Sequence, residues 1–91
     1  MYNVVKRDGK LAKFDITKIS TAIKQAFGSC NRDYNDDIID FLALKVTAEF
    51  EPLVKDMKIE VEDIQDSVES VLIKAGYSDV AKSYILYRRQ R

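Results

Sequence analysis

The apolar positions change their period along this chain. From 2 to 14 short runs of valine, lysine and alanine flank an Asp8-Gly9 pair, and beyond Asp15 the apolar residues recur three and four apart. The first pattern predicts a β-hairpin at about 2–14, closed by a two-residue type I′ turn, because Asp and Gly tolerate the positive φ angles that turn requires. In that register Arg7 faces Lys10, Lys6 faces Leu11, Val5 faces Ala12 and Val4 faces Lys13. Asp15 is placed to cap a helix of about 15–27, in which Ile16, Ile19, Ile23, Ala26 and Phe27 follow at helical spacing up to Gly28. "GSCNRDYN" reads as a loop. Asn35 then caps a helix of about 35–54, with Asp36 and Asp37 adding negative charge at its N-terminus, and Pro52 predicts a kink or an early stop.

That second helix carries one stripe of Ile38, Ile39, Leu42, Val46 and Leu53, and another of Phe41, Leu44 and Ala48 on a different side. Two apolar sides need two covers, either another helix of the same core or a subunit contact. "KIEV" alternates over Lys58 to Val61 and suits a third strand paired with the hairpin. Ile64, Val68, Val71, Leu72 and Ala75 mark a helix of about 62–75 with Glu62 and Asp63 in its first turn and Gly76 as its stop. Ser78 can cap a last helix of about 78–90 that sets Ala81, Tyr84, Ile85 and Arg88 along one side. The order β-β-α-α-β-α-α describes an α+β fold: one domain, 1–91, with a four-helix bundle capped by a small three-stranded sheet.

Composition narrows the function. The chain has 91 residues, 46% hydrophobic and 33% charged, and no apolar run approaches the roughly 18–20 residues that span a bilayer. The N-terminus has no apolar signal-peptide region and Cys30 has no second cysteine to pair with, which points to the reducing cytoplasm. Fifteen basic and fifteen acidic residues give no net charge, against a broad nucleic-acid-binding surface. The charges are nonetheless segregated. Acids gather in "NDDIID" and "EVEDIQDSVE", bases in the hairpin and the closing "YRRQR".

Candidate chemistry is limited by what the chain lacks. With no histidine, one cysteine and no serine beside a base, it offers neither a nucleophilic triad nor a zinc site. Gly9, Gly28 and Gly76 are the only glycines, so no glycine-rich phosphate loop can be written. An anion site built from side-chain cations is open: Lys6 and Arg7 on the hairpin, Lys18 one turn into the first helix, and Arg88, Arg89 or Arg91 from the last. The alternative is that Lys10 and Lys13 protect a strand edge, Lys18 is solvated, and the arginines favour a helix C-terminus.

The runs "VVKRDGKLAKFDITKISTAI", "IEVEDIQDSVESVLIKAG" and "AKSYILYRRQR" together resemble the ATP-cone, a regulatory nucleotide-binding module at the N-terminus of many ribonucleotide reductases. The resemblance implies ATP or dATP with Mg2+ as allosteric effector, held beneath the hairpin. It implies nucleotide-binding roles for Val5, Lys6 and Arg7, with Lys6 and Arg7 on the phosphates, and for Lys18 as added charge. Phe14, Asp15 and Ile16 would border the adenine, Val61 and Gln65 would lie near the sugar or phosphates, and Arg88, Arg89 and Arg91 would close the far side. The triphosphate would offset the Arg7–Lys10 repulsion. The similarity further implies a regulatory role, with the remainder of a reductase chain and its other subunits as partners; the segment's own residues place no nucleophile beside a base, and the Phe41, Leu44 and Ala48 stripe is one candidate for a surface that changes partner. Residues 2 and onward and the "SYILYRRQR" ending are similar to the anaerobic, glycyl-radical enzyme. The other readings are the cone of a transcriptional repressor of reductase genes, which sets a cysteine-rich zinc ribbon before its cone, and a degenerate cone acting as a helical interaction module.

Overall fold

A computed structural model describes residues 2–89. Strand β1 (Asn3–Val5) is followed by β2 (Leu11–Lys13), helices α1 (Ile16–Ser29) and α2 (Asp36–Phe50), strand β3 (Lys58–Glu60), and helices α3 (Val61–Lys74) and α4 (Ser78–Arg89). The sheet order is β2-β1-β3, with β1 antiparallel to β2 and parallel to β3. The α+β reading of four helices beneath a small three-stranded sheet holds.

The hairpin register is one residue away from the expected one. Asn3 pairs with Lys13, Val4 with Ala12 and Val5 with Leu11, and the Lys6 amide donates to the Lys10 carbonyl at 2.8 Å. The loop is therefore Arg7-Asp8-Gly9. A type I′ turn requires positive φ at both central residues. Among the described residues only Gly9, at +85°, supplies it here. Gly9 donates to the Lys6 carbonyl at 2.9 Å, and the Asp8 carboxylate accepts the Lys10 amide at 3.0 Å, giving a three-residue loop that ends in a left-handed glycine. The opposed cations are thus Lys6 and Lys10, and Arg7 is released into the loop. A two-residue turn with both central angles positive occurs instead at Asp56-Met57, φ 53° and 61°, where Lys55 and Lys58 exchange backbone hydrogen bonds of 2.9 and 3.0 Å without any glycine.

The helix caps follow local chemistry. Asp15 accepts from the Thr17 amide at 3.0 Å and its hydroxyl at 2.6 Å, and Asn35 accepts from the Ile38 amide at 2.8 Å. Gly76, at φ +90°, donates to Ile73 while Tyr77 donates to Leu72, which closes the carbonyl end of α3. Four bounds differ from expectation. Helix α1 runs through Gly28 to Ser29; α2 stops at Phe50, with Pro52 inside a 3-10 turn over Glu51–Leu53; α3 begins at Val61; and Ala75 lies just past its end.

Phe27, Phe50, Ile23, Ile39, Leu42, Val46, Leu72, Val68 and Val80 are the largest fully buried side chains, drawn from all four helices. Leu53 is 51% exposed, because the proline-directed turn swings it off the α2 stripe, and Phe50 takes its place in the core. Tyr2 and Phe14 stand against Phe50 with ring centroids at 6.0 and 5.6 Å, which clamps the hairpin onto the end of α2. Phe41 and Leu44 are 56% and 63% exposed and Ala48 is exposed beside them, so among the described residues no helix covers the second α2 face. At the opposite end Arg32 grips Asp79 through two hydrogen bonds of 2.8 and 2.9 Å and lies over the Tyr77 ring, tying the α1–α2 loop to α4.

Candidate functional site

A cleft of about 450 Å3 opens beneath the hairpin. The hairpin supplies Val4, Lys6, Arg7, Ala12, Lys13 and Phe14 as its roof. Strand alternation accounts for part of this set: Val4 of β1 pairs with Ala12 of β2, and Lys6 and Phe14 follow two residues on from them, whereas consecutive residues such as Ala12 and Lys13 reach the cleft from the strand's edge as well as its face. Val5, expected at the site, takes the other face and does not line the cleft. One wall comes from α1, where Asp15, Lys18, Ile19 and Ala22 recur at helical spacing along a single face. Ile16, also expected there, lies off that face, half-buried against the core. The opposite wall holds Val61, Ile64, Gln65 and Val68 of α3, and the inner end holds Tyr84, Tyr87 and Arg88 of α4.

The cleft is electrically uneven. Lys6, Arg7, Lys13 and Lys18 surround its hairpin end, against the one carboxylate of Asp15 among its lining residues. Hydrogen bonds from the Thr17 hydroxyl and amide hold the Asp15 carboxyl below its usual range, so it remains an ionised cap. Arg7 bridges to α3: its Nη2 donates to Gln65 Oε1 at 3.3 Å and its Nε lies 3.9 Å from Glu62.

Arg88, expected to close the far side of the site, lines the cleft, and its guanidinium is engaged by carboxylates of α3. Its side chain is 16% exposed and donates to Asp66 at 3.2 Å and to Glu69, both on α3. Burial opposes its charge, but the two carboxylates outweigh that and keep its pKa above the ordinary guanidinium value. Beside it, burial pushes the Tyr84 phenol up to about 12, although the Arg88 charge pulls the other way. This part of the cleft therefore presents the Tyr84 and Tyr87 rings and an arginine paired with two carboxylates. Arg89 is exposed and does not line the cleft, and Arg91 lies outside the described residues.

Sequence reasoning missed several lining residues. Lys13, read as one of two solubilising edge charges, borders the cleft, whereas Lys10 does not. Val4 and Ala12, neither of them expected at the site, line it as well. Ile19, Ile64, Val68 and Tyr84 had been recognised as core positions, and they form the cleft floor because the core continues up to it.

An apolar and aromatic interior with cations at one end suits a ligand that joins a flat apolar body to an anion, which defines a small ligand-binding domain with nucleotide-like complementarity. Residues 2–91 match the family model described as "ATP cone domain", and the chain belongs to that family. ATP-cone domains bind nucleotide effectors.

Over 97% of its length the chain is 41% identical to a ribonucleoside-diphosphate reductase subunit alpha of Chlamydia pneumoniae. Over 97% it is 44% identical to a vitamin B12-dependent ribonucleoside-diphosphate reductase of Thermoplasma acidophilum. It is 32% identical over 99% to an anaerobic ribonucleoside-triphosphate reductase of Haemophilus influenzae. The similarity thus extends across three reductase names and does not single out the anaerobic one. The chain spans only 9–12% of the length of these relatives.

Proposed function

We propose that this domain is the allosteric nucleotide sensor of a ribonucleotide reductase, binding ATP or dATP in the cleft beneath the hairpin. The observation that carries the reading is the convergence of Lys6, Arg7, Lys13 and Lys18 on a cleft whose other lining residues, apart from Asp15, Gln65 and the carboxylate-paired Arg88, are apolar or aromatic. The phosphates lie against those cations, and the base enters between the hairpin residues Ala12 and Phe14 and the α1 face of Asp15, Ile19 and Ala22. Val61 and Gln65 border the sugar or phosphates from α3. Mg2+ arrives with the triphosphate. When bound, it shields the phosphate charge.

The effector signal passes to the remainder of the reductase or to its other subunits. The uncovered Phe41, Leu44 and Ala48 stripe is the surface on which the two effectors favour different assemblies, each acting through its differential affinity for them. No helix among the described residues is long and apolar enough to cross a membrane. Calorimetric titration with Mg-ATP, Mg-dATP and Mg-GTP tests the reading. Adenine-selective binding, weakened about five- to thirtyfold by Lys6→Ala and by Lys18→Ala but not by Lys10→Ala, supports it, on the strength of a charge-assisted phosphate contact. Equal losses at Lys10 and Lys18, or no heat with any nucleotide, would refute it.

A further inference from the structure

Beside the main cleft, and sharing Lys6 and Arg7 with it, a second hollow of about 390 Å3 is walled by Glu60, Val61, Glu62 and Asp63. The two cations thus stand between the cleft and three carboxylates at the start of α3. Arg7 is engaged on that side, with Nε 3.9 Å from the Glu62 carboxylate and Nη2 on Gln65 at 3.3 Å. Arg7 sits in the loop rather than in the paired strand, and its side chain lines both hollows. Glu62 is 65% exposed at its side chain and Arg7 51% exposed, so this is a weak, exchangeable pair rather than a buried lock.

We propose that Glu62 is an affinity- and specificity-determining residue: an internal anion that occupies Arg7 until the phosphates of a ligand displace it. This rests on the nucleotide reading above. A ligand whose phosphates engage Arg7 must first break the Glu62 contact, whereas one that does not reach Arg7 leaves the pair in place. Glu62 therefore lowers the affinity for triphosphates specifically and returns Arg7 to α3 when the ligand leaves. Glu60 and Asp63 add negative field to the same hollow, but neither forms an ion pair with Arg7 within 4.0 Å among the contacts of the described residues.

The test is a double-mutant cycle on the isolated domain at low ionic strength, where screening of an exposed pair is least. Glu62→Gln is expected to tighten Mg-ATP binding by about two- to fivefold, the worth of an exposed ion pair. The same substitution is expected to have no effect in an Arg7→Gln background, nor on adenosine, which carries no phosphate. Unchanged or weaker Mg-ATP binding by Glu62→Gln overturns the proposal, and so does a gain that persists without Arg7, which would mark a diffuse field effect. If the unsubstituted domain binds no ATP, the nucleotide reading fails. Inorganic tripolyphosphate, titrated into the same four proteins, then decides the competition for Arg7 by the same criterion.

Discussion

Replacing Arg88 with methionine separates two roles that a C-terminal arginine can have in this domain. The substitution keeps an unbranched apolar stem but leaves the Asp66 and Glu69 carboxylates without their shared cation. A fully buried pair broken in this way costs about 3–5 kcal/mol. Here Arg88 is 16% and Glu69 23% exposed, but Asp66 is 69% exposed and can be rehydrated in place. The expected loss is accordingly about 2–3 kcal/mol, or a fall in Tm of roughly 8–24 °C for a domain of this size. Adding Glu69→Gln removes the carboxylate left stranded and restores most of that loss, as the coupling of directly bonded groups requires.

Urea and thermal unfolding of the four proteins of the cycle give the coupling, and nucleotide titration of the same set gives the site role. Arg88→Met/Glu69→Gln loses one positive and one negative charge, so its nucleotide affinity should stay within about threefold of the parent, the scale of an exposed-pair perturbation. A loss below about 0.5 kcal/mol on Arg88→Met, the size of an ordinary surface change, would refute the structural role. A tenfold loss of nucleotide affinity in the stable double variant would restore Arg88 as a phosphate ligand.

Met57→Gly relieves a side chain held at φ 61° and should stabilise the domain by up to about 1 kcal/mol in urea unfolding, less the added entropy of a glycine in the unfolded chain; a destabilised variant would contradict the strained turn. Phe50→Ala opens a cavity at a fully buried ring that supports Tyr2 and Phe14, and should cost about 3–5 kcal/mol, with hairpin amides losing protection from hydrogen exchange first. The Arg32 hydrogen bonds hold the Asp79 carboxyl below its usual range. A depressed folded pKa adds stability above the unfolded value and loses it as pH falls through the folded one, so this contribution fades below about pH 4. Asp79→Asn should therefore lower Tm at pH 7 and differ less from the parent at pH 3, and an equal deficit at both would show that the pair's ionisation is immaterial.

Local chemistry made much of the fold readable. Asp15 and Asn35 cap helices through side chains that reach amides two and three residues on, and Gly76 closes α3 within a few residues, so each signal lies inside the segment it governs. The helical spacing of Ile19, Ile23, Ala26 and Phe27 likewise states which face is buried. The hairpin's existence was legible, but its register was not. Asp-Gly suits both a two-residue and a three-residue loop, and a shift of one residue moves Arg7 from the ladder to the loop.

Sequence by itself determined the element order, the caps, the core faces and the concentration of cations at the hairpin. It also excluded histidine chemistry and glycine-rich phosphate loops, since residue types are fixed before folding. Tertiary structure alone decided which cations remain available. Arg88 meets carboxylates 19 and 22 residues away, Arg32 meets one 47 away, and Arg7 meets a glutamine 58 away. No local pattern encodes such partners, because they become neighbours only when α3 and α4 pack together and the parallel pairing of β1 with β3 brings the hairpin over the start of α3.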